Sequence, residues 1–414
     1  MAENNTQADI FKIEKVDLKI GSVDFLNSGA MFRGAVIEER IDSPFVSGVV
    51  YIDDTVDLRG RVSLDGTQPV VFSYKPLGNQ KNEQTINFPG ISLHKTSNIT
   101  DDSEGKLTSS RRLSYGINFI STGYINSTKV TLDKNYEKAS PYQIYRDIFG
   151  LCGMPAKTGL TQPIPISHNF FNQRLQSVMS ILHDKIDTVQ AGLNSCYMMV
   201  HYDRATGGVN VQLIDEMVST APVVDNFIKY TNQTQFGMNR NSILFQNSTV
   251  DYDVTKRPYA DYVVATYNKA TGNIYEVNPP VVITLNLDGR KIYIESFYHT
   301  GGTKNIKKLI HYIEPKNNKH NFAFAQKHRF IMDAHLDQHR GMFRIPVNSK
   351  IKVGVKCKIK ILKRVSDPDT ANSLEDRNAG EVLVTGVKHV INMNGIIPQS
   401  YMDVEYYKPV YRGN

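Results

Sequence analysis

Residues 41–73, IDSPFVSGVVYIDDTVDLRGRVSLDGTQPVVFS, decide how the rest of the chain is read. Two β-rich runs, 46–52 and 69–73, flank a charged, turn-rich connection. Ser43-Pro44 opens the first run, because proline fixes its own φ and disfavours helix in the residue before it. Val50 and Ile52 then point to one side and Val49 and Tyr51 to the other, the two-residue period of a strand. Asp53-Asp54 and Asp65-Gly66 carry turn chemistry that ends such runs. The stretch predicts antiparallel sheet, part of a small barrel or sandwich.

Outward from it, residues 1–115 read as short strands and turns. The runs 86–88 and 91–93 are split by Pro89-Gly90, residues 98–110 make a hairpin tip, and 112–121 alternates as a closing strand. The texture changes near Ser127. Ser140-Pro141 predicts a helix start, with serine as cap and proline at the first helical position. Ile144, Tyr145, Ile148 and Phe149 follow at helical spacing, and Gly150 and Gly153 stop the helix. A second helix is predicted over 169–184, with Phe171, Leu175, Val178 and Leu182 as its apolar stripe. Both read as packing elements. Strands 197–202 and 209–213 flank the glycine-bearing hairpin loop 203–208, and strands 261–267 and 274–276 flank the similar loop 268–273. Runs 281–287 and 291–297 are joined through Asp288-Gly289-Arg290. Residues 300–340 are polar, basic and histidine-bearing, with no predicted state. A last β unit follows: 350–361, 381–390, the turn 392–395, and 401–406.

A chain of 414 residues makes two to four domains. Its 40% hydrophobic and 21% charged content suits a globular protein with real cores. No apolar run reaches the roughly 18 residues of a membrane-spanning helix, and the polar segment 1–21 has no apolar core for a secretory signal. Asn-x-Ser/Thr matches at Asn4, Asn98, Asn126, Asn232 and Asn247 therefore carry no weight. Cys152, Cys196 and Cys357 are too scattered for a disulfide framework or a cysteine zinc site and read as buried thiols. A net charge of +7 permits an acidic partner without requiring nucleic acid. Tryptophan is absent, beside 22 tyrosines.

Catalytic chemistry finds little purchase. His335-x-x-x-His339, with His320 and His328 upstream, would share a helical face, but Leu336 stands where a zinc protease needs glutamate. Gly301-Gly302-Thr303-Lys304 lacks the upstream glycine of a phosphate loop. The pairs Asp53/Asp54 and Asp101/Asp102 lie in turn-like segments and read as solvated, not as a facing carboxylate pair. No catalytic residue, cofactor or metal ligand is assigned. The pattern that stands out is a lysine ladder. Lys350, Lys352, Lys356, Lys358 and Lys360 alternate with Ile351, Val353, Val355, Cys357, Ile359 and Ile361, with Gly354 interrupting the charged side. As one strand it would bury one face and present five cations on the other. These lysines are interface candidates. Strong phosphate binding would hinder DNA release from a channel, so an outer or intersubunit face suits them better than a lumen. The bland alternative is a charged edge that suppresses aggregation.

Several motifs in fixed order resemble one family. Pro44-Phe45-x-x-Gly48, an apolar strand ending in aspartate, then Leu58-x-Gly60 and a second strand look like the first barrel of bacteriophage baseplate hub proteins. These form the torus of contractile tails and are similar to the head of the type VI secretion spike. Between 113 and 217 the order of parts is again similar to that family. A strand (LSYGINFIS) is followed by Lys134 and Tyr136, the helix motif S-x-x-x-I-x-x-D-I (Ser140 to Ile148), prolines 163 and 165, a helix, a hairpin, and Leu213-x-x-x-Met217. The terminal Gly380-x-x-x-Val384-x-x-Val387-x-His389 looks like the closing hairpin of the family's second barrel, with His389 in a structural role.

The resemblance implies a mainly β chain with α+β insertions: two similar antiparallel β-barrels plus outer domains. The first barrel would span 1–115. An α+β outer domain with two helices would take 116–195, a discontinuous second barrel 196–217 and 340–414, and a β-rich outer domain 218–339. It implies a structural, non-enzymatic homotrimer whose six barrels adapt a sixfold tail tube to a threefold central spike around a DNA channel. Implied partners are the spike, the tail tube or tube-initiator protein, the tape-measure protein and baseplate wedge proteins, with DNA only in transit. The expected location is the virion tail baseplate, after assembly in the host cytoplasm. With no extension past Asn414, a lytic or needle part would be a separate protein. The rival readings are a tail-associated cell-wall hydrolase and a receptor-binding adhesin.

Overall fold

The computed structural model describes residues 9–61, 68–77, 84–98, 113–161, 163–185, 197–230, 240–250, 339–362, 379–393 and 399–408. It also describes the strands within 263–313 and single positions among 64–66, 272 and 329–336. The first 121 residues give β1 (Ile13–Ile20), β2 (Val23–Asp24), β3 (Ala30–Arg40), β4 (Ser47–Asp54), the helical turn α1 (Leu58–Arg61), β5 (Pro69–Pro76), β6 (Ile86–Asn87), β7 (Ile91–Asn98) and β8 (Leu113–Ser121). A mixed region follows: α2 (Thr122–Ser127), β9 (Thr131–Ala139), α3 (Pro141–Leu151), β10 (Ala156–Thr158), β11 (Ile166–Arg174), α4 (Leu175–Lys185), β12 (Met198–Asp203), β13 (Gly208–Leu213) and α5 (Ile214–Ser219). The remainder is β14 (Val224–Tyr230), β15 (Phe245–Val250), β16 (Val263–Asn268), β17 (Asn273–Val277), β18 (Val282–Leu287), β19 (Arg290–Glu295), β20 (Lys308–Ile313), β21 (His339–Pro346), β22 (Lys356–Leu362), β23 (Gly380–Asn392) and β24 (Gln399–Tyr407). The chain is mainly β with α+β insertions, as its sequence predicts.

One fourteen-stranded sheet dominates, with the main order β15-β21-β24-β23-β3-β4-β8-β7-β5-β1-β2. β14 and β22 join it beside β23, and β6 beside β5. Eight of its strands come from the first 121 residues and six from 224–407. The two groups meet at one antiparallel seam, where β3 pairs with β23 from Arg40↔Gly386 to Gly34↔Asn392. Gly34 permits that approach, since a Cβ there would lie 2.4 Å from the carbonyl oxygen of Ile391. Inward residues of both groups, from Leu18 and Phe72 to Val404 and Tyr406, form one continuous apolar core. Burial of that area is the main stabilising term.

A second core sits under the mixed region, where Ile144, Tyr145, Ile148 and Phe149 of α3 meet Val178 and Leu182 of α4 and Val209 and Val211 of β13. Motif residues that are distant in sequence come together here. Asp147 of α3 accepts hydrogen bonds from Lys134 Nζ (2.8 Å) and Tyr136 Oη (2.7 Å) of β9. Strand β12 is buried along its whole length, because Met198 and Val200 face this core while Tyr197 and Met199 beside them face the main one.

The structure corrects several expectations. The hairpin 196–217 does not pair with the terminal strands; β12 and β13 form a separate sheet with β10, parallel to β13. Residues 169–174 are not helical. They belong to β11, which pairs with β9, and α4 starts only at Leu175. Asn172 takes φ +49 at the register shift of that pair, which turns Phe171 outward, 73% exposed. Helix α3 does begin with Pro141 after Ser140, yet the serine side chain makes no capping hydrogen bond. Asp53 and Asp54 are not solvated turn acids: they end β4 and are buried. Arg33 Nε (2.6 Å) and Ser114 Oγ (2.7 Å) donate to Asp53. Asp54 accepts from the backbone N–H of Val56 and Arg59 and from Tyr115. His339 opens strand β21, so the helical histidine pair does not form, and His335 lies outside the described residues, as do Cys196, Asp101 and Asp102. The strands that flank 268–273 and 288–290 pair antiparallel as expected, in β16–β17 and β18–β19, while residues 269–271, 288 and 289 lie outside the described residues.

Candidate assembly surface and the buried seam

The lysine ladder is only partly a strand. Residues 349–350 and 353–354 are turns, Gly354 takes φ +81, and the strand β22 starts at Lys356. Lys350 and Lys352 therefore precede the strand and are exposed. Lys356 is 5% exposed and donates to Glu381 of β23 at 2.7 Å, so it is an internal partner. Cys357 and Ile359 are buried between, while Lys358 and Lys360 are exposed. Those two have no ion-pair partner among the described residues. Parallel pairing of β22 with β14 sets Ile228 beside Lys360, widening this face. The five cations thus resolve into one buried pair member, two exposed residues ahead of the strand and two exposed residues on it.

The outer side of the seam carries a different charge pattern. Glu38 of β3, Lys388 of β23, Asp403 of β24 and Arg344 of β21 lie in register across four strands, alternating in sign. Lys388 is 2.9 Å from Glu38, Arg344 donates to Asp403 at 2.6 and 2.9 Å, and its guanidinium lies 4.0 Å over the Tyr401 ring. Opposite charges facing each other across strands favour one register. A shallow cleft of about 270 Å3 opens beside this row, with Arg40, Gly386 and Glu405 on its wall.

Beneath the row, on the inner side, is a cluster that sequence reading did not find. Glu39 of β3, His389 of β23, Tyr74 of β5 and Arg204 of the β12–β13 loop converge in the interior. Arg204 Nη2 donates to Glu39 Oε1 (2.6 Å) and to the carbonyl of Ile351 (2.9 Å). His389 Nε2 lies 2.9 Å from the same Glu39 oxygen, and Tyr74 Oη 2.6 Å from His389 Nδ1. The network fixes the neutral tautomer: Nε2–H donates to the carboxylate, and Nδ1 accepts from the tyrosine. Burial would push the Glu39 carboxyl up, but the Arg204 charge and the His389 hydrogen bond outweigh it and hold it at about 2. Burial is the largest influence on His389 and lowers it below the ordinary imidazole value, with Glu39 opposing and the Arg204 charge adding to the effect.

The loop bearing Arg204 is wedged between the two strand groups. Tyr202 Oη donates to the Pro89 carbonyl at 2.5 Å. Gly207, at φ +72, would place a Cβ 2.7 Å from that same oxygen. On the other side, a Cβ on Gly354 would meet His201 Nε2 at 2.8 Å. In sequence this loop shows only hairpin chemistry; the one signal of more was a charged Arg204 among turn residues. The expected structural place of His389 agrees with its setting, fully buried with an edge-on Phe88 ring at 5.3 Å.

No protein-family model matches the sequence, and no curated protein matches it. The fold has clear relatives. The chain is similar to a tail protein from Neisseria meningitidis MC58, at 9% identity over 95% of this chain and 96% of that one, with a TM-score of 0.56. It is also similar to the 43 kDa tail protein of prophage MuSo2 from Shewanella oneidensis, at 8% identity over 96% and 98% of the two chains, with a TM-score of 0.54. At such identities the shared property is the fold, and it runs along nearly the whole chain.

Proposed function

We propose that the chain is a structural baseplate hub of a phage or phage-like tail. Three copies form a ring that adapts a sixfold tail tube to a threefold central spike and leaves a channel for DNA. The observation that carries this reading is the tail-protein fold shared end to end, not in one module. The internal plan supports it, since one chain supplies two strand groups joined at a single seam, and three chains supply six. The spike, the tube or its initiator, the tape-measure protein and the wedge proteins are its partners in this reading, in the virion baseplate after assembly in the host cytoplasm.

The role is architectural. The adjacent acids Asp53 and Asp54 hold internal donors, in keeping with a structural part. Of the five sequence candidates, Lys358 and Lys360 are proposed as the cations that dock on an acidic neighbour, because they alone combine strand placement with exposure. Light scattering after size exclusion tests the ring: the expected native mass is three times 46.7 kDa, alone or with the spike protein. A chain that stays monomeric in both cases rejects the hub.

A further inference from the structure

The buried cluster does more than fill space, because its four members come from four separate elements. Glu39 and His389 belong to the two strands of the seam, Tyr74 to β5, and Arg204 to the hairpin loop of the separate three-stranded sheet. Two donors, Arg204 Nη2 and His389 Nε2, share one acceptor, Glu39 Oε1. They stand 3.4 Å apart, and both carry hydrogen, so no bond joins them. The arrangement is balanced while the imidazole is neutral. One carboxylate then faces one cation, and Tyr74 fills the remaining nitrogen.

We propose that the 203–207 loop is an acid-releasable latch: a proton taken up by His389 sets two cations against the single charge of Glu39 and frees Arg204 from the seam. The groups that face His389 are Glu39 from β3, Tyr74 from β5 and Arg204 from the loop, with the neutral Phe88 ring against its edge. Beyond them, His201, Asp203 and Lys352 belong to the same neighbourhood: Glu39, Lys352 and Asp203 all act on His201. Protonation puts hydrogen on Nδ1, so Tyr74 must turn its hydroxyl from donor to acceptor. Arg204 also holds the Ile351 carbonyl in the segment before β22, so its release loosens the loop from both strand groups at once. Neutral His389 is favoured by burial, which places the step below the ordinary imidazole value. This inference does not depend on the ring.

The chain has no tryptophan, so Ala205→Trp in the exposed part of the loop gives the full-length protein a single reporter. Its emission is followed from pH 8 to pH 4 beside far-ultraviolet circular dichroism. The expected result is one emission step below pH 6.5 with the dichroism retained. His389→Gln keeps both hydrogen bonds, amide N–H to Glu39 and carbonyl oxygen to Tyr74, but cannot take the proton, so the step is lost. His201→Gln leaves the step in place. The latch is overturned if emission moves only with the dichroism, if no step occurs, or if the step survives His389→Gln or vanishes in His201→Gln. Should His389→Gln not fold, Arg204→Gln in the reporter chain removes the competing cation. A step that persists there also overturns the latch.

Discussion

Asp215 of α5 holds both carboxylate oxygens in the interior with no hydrogen-bond partner among the described residues, where α5 packs against β18. Burial, and then the charge of adjacent Glu216, push this carboxyl up to about 7. Its folded-state value lies above its unfolded one. The stability it contributes is therefore complete below about pH 4 and lost as pH rises through 7. Asp215→Asn is expected to stabilise the protein by an amount that grows from pH 4 to pH 7 and levels at about 2 kcal/mol above that; thermal melts at pH 5 and pH 8 measure it. Glu39 works in the opposite sense. Held at about 2, it stabilises above the unfolded value and fails only in strong acid. Glu39→Gln strands the Arg204 charge in the interior, an expected loss of about 3 kcal/mol, and Glu39→Gln with Arg204→Met restores part of it. A denaturant titration of both variants decides this, and equal losses in single and double variants would show that the charge was never stranded.

The elements differ in how openly their residues announce them. Helix α3 was legible because Pro141, Ile144, Ile148 and Phe149 carry a start and a stripe that tertiary context leaves intact. The start of α4 was not legible: Phe171 continues the stripe of Leu175 and Val178, yet pairing with β9 claims residues 166–174 as strand, a long-range choice that local period cannot register. The lysine alternation misled in a similar way. Gly354 interrupts it where the backbone turns at positive φ, and the pattern on either side belongs to different structures. The buried cluster was invisible because its members are drawn from positions 39, 74, 204 and 389, and no spacing links them. The hairpin loop that completes it depends on a close backbone approach. Gly207→Ala is expected to cost about 2 kcal/mol or more, since it combines positive φ with a contact on the Pro89 carbonyl. Gly272, also at positive φ but with open space around it, is the control and should cost about 1 kcal/mol in the same melt.

At the scale of the whole molecule, one sheet continues from the first strands to the last, and the charges on its surface divide by duty. Lys356 is occupied within the fold, so Lys356→Ala is expected to lower stability by about 1–3 kcal/mol by removing its largely buried ion pair with Glu381. Lys358→Glu with Lys360→Glu should leave the melting temperature nearly unchanged and reduce assembly into the proposed trimer at physiological salt, read by light scattering. A stable variant that assembles like the parent would assign both lysines to solvent. The seam itself has a consequence for how the chain is made. One edge of β3 pairs with the nearby β4, but the other finds its partner in β23, and residue 40 leaves the ribosome roughly 20 to 70 s before residue 380 at ordinary elongation rates. Throughout that interval an eleven-residue strand has one edge unclaimed, a template for wrong pairing between nascent chains. Synthesis of this protein is therefore most exposed to aggregation in the minute before its last strands emerge, and holding that edge covered is work for whatever meets the chain at the ribosome.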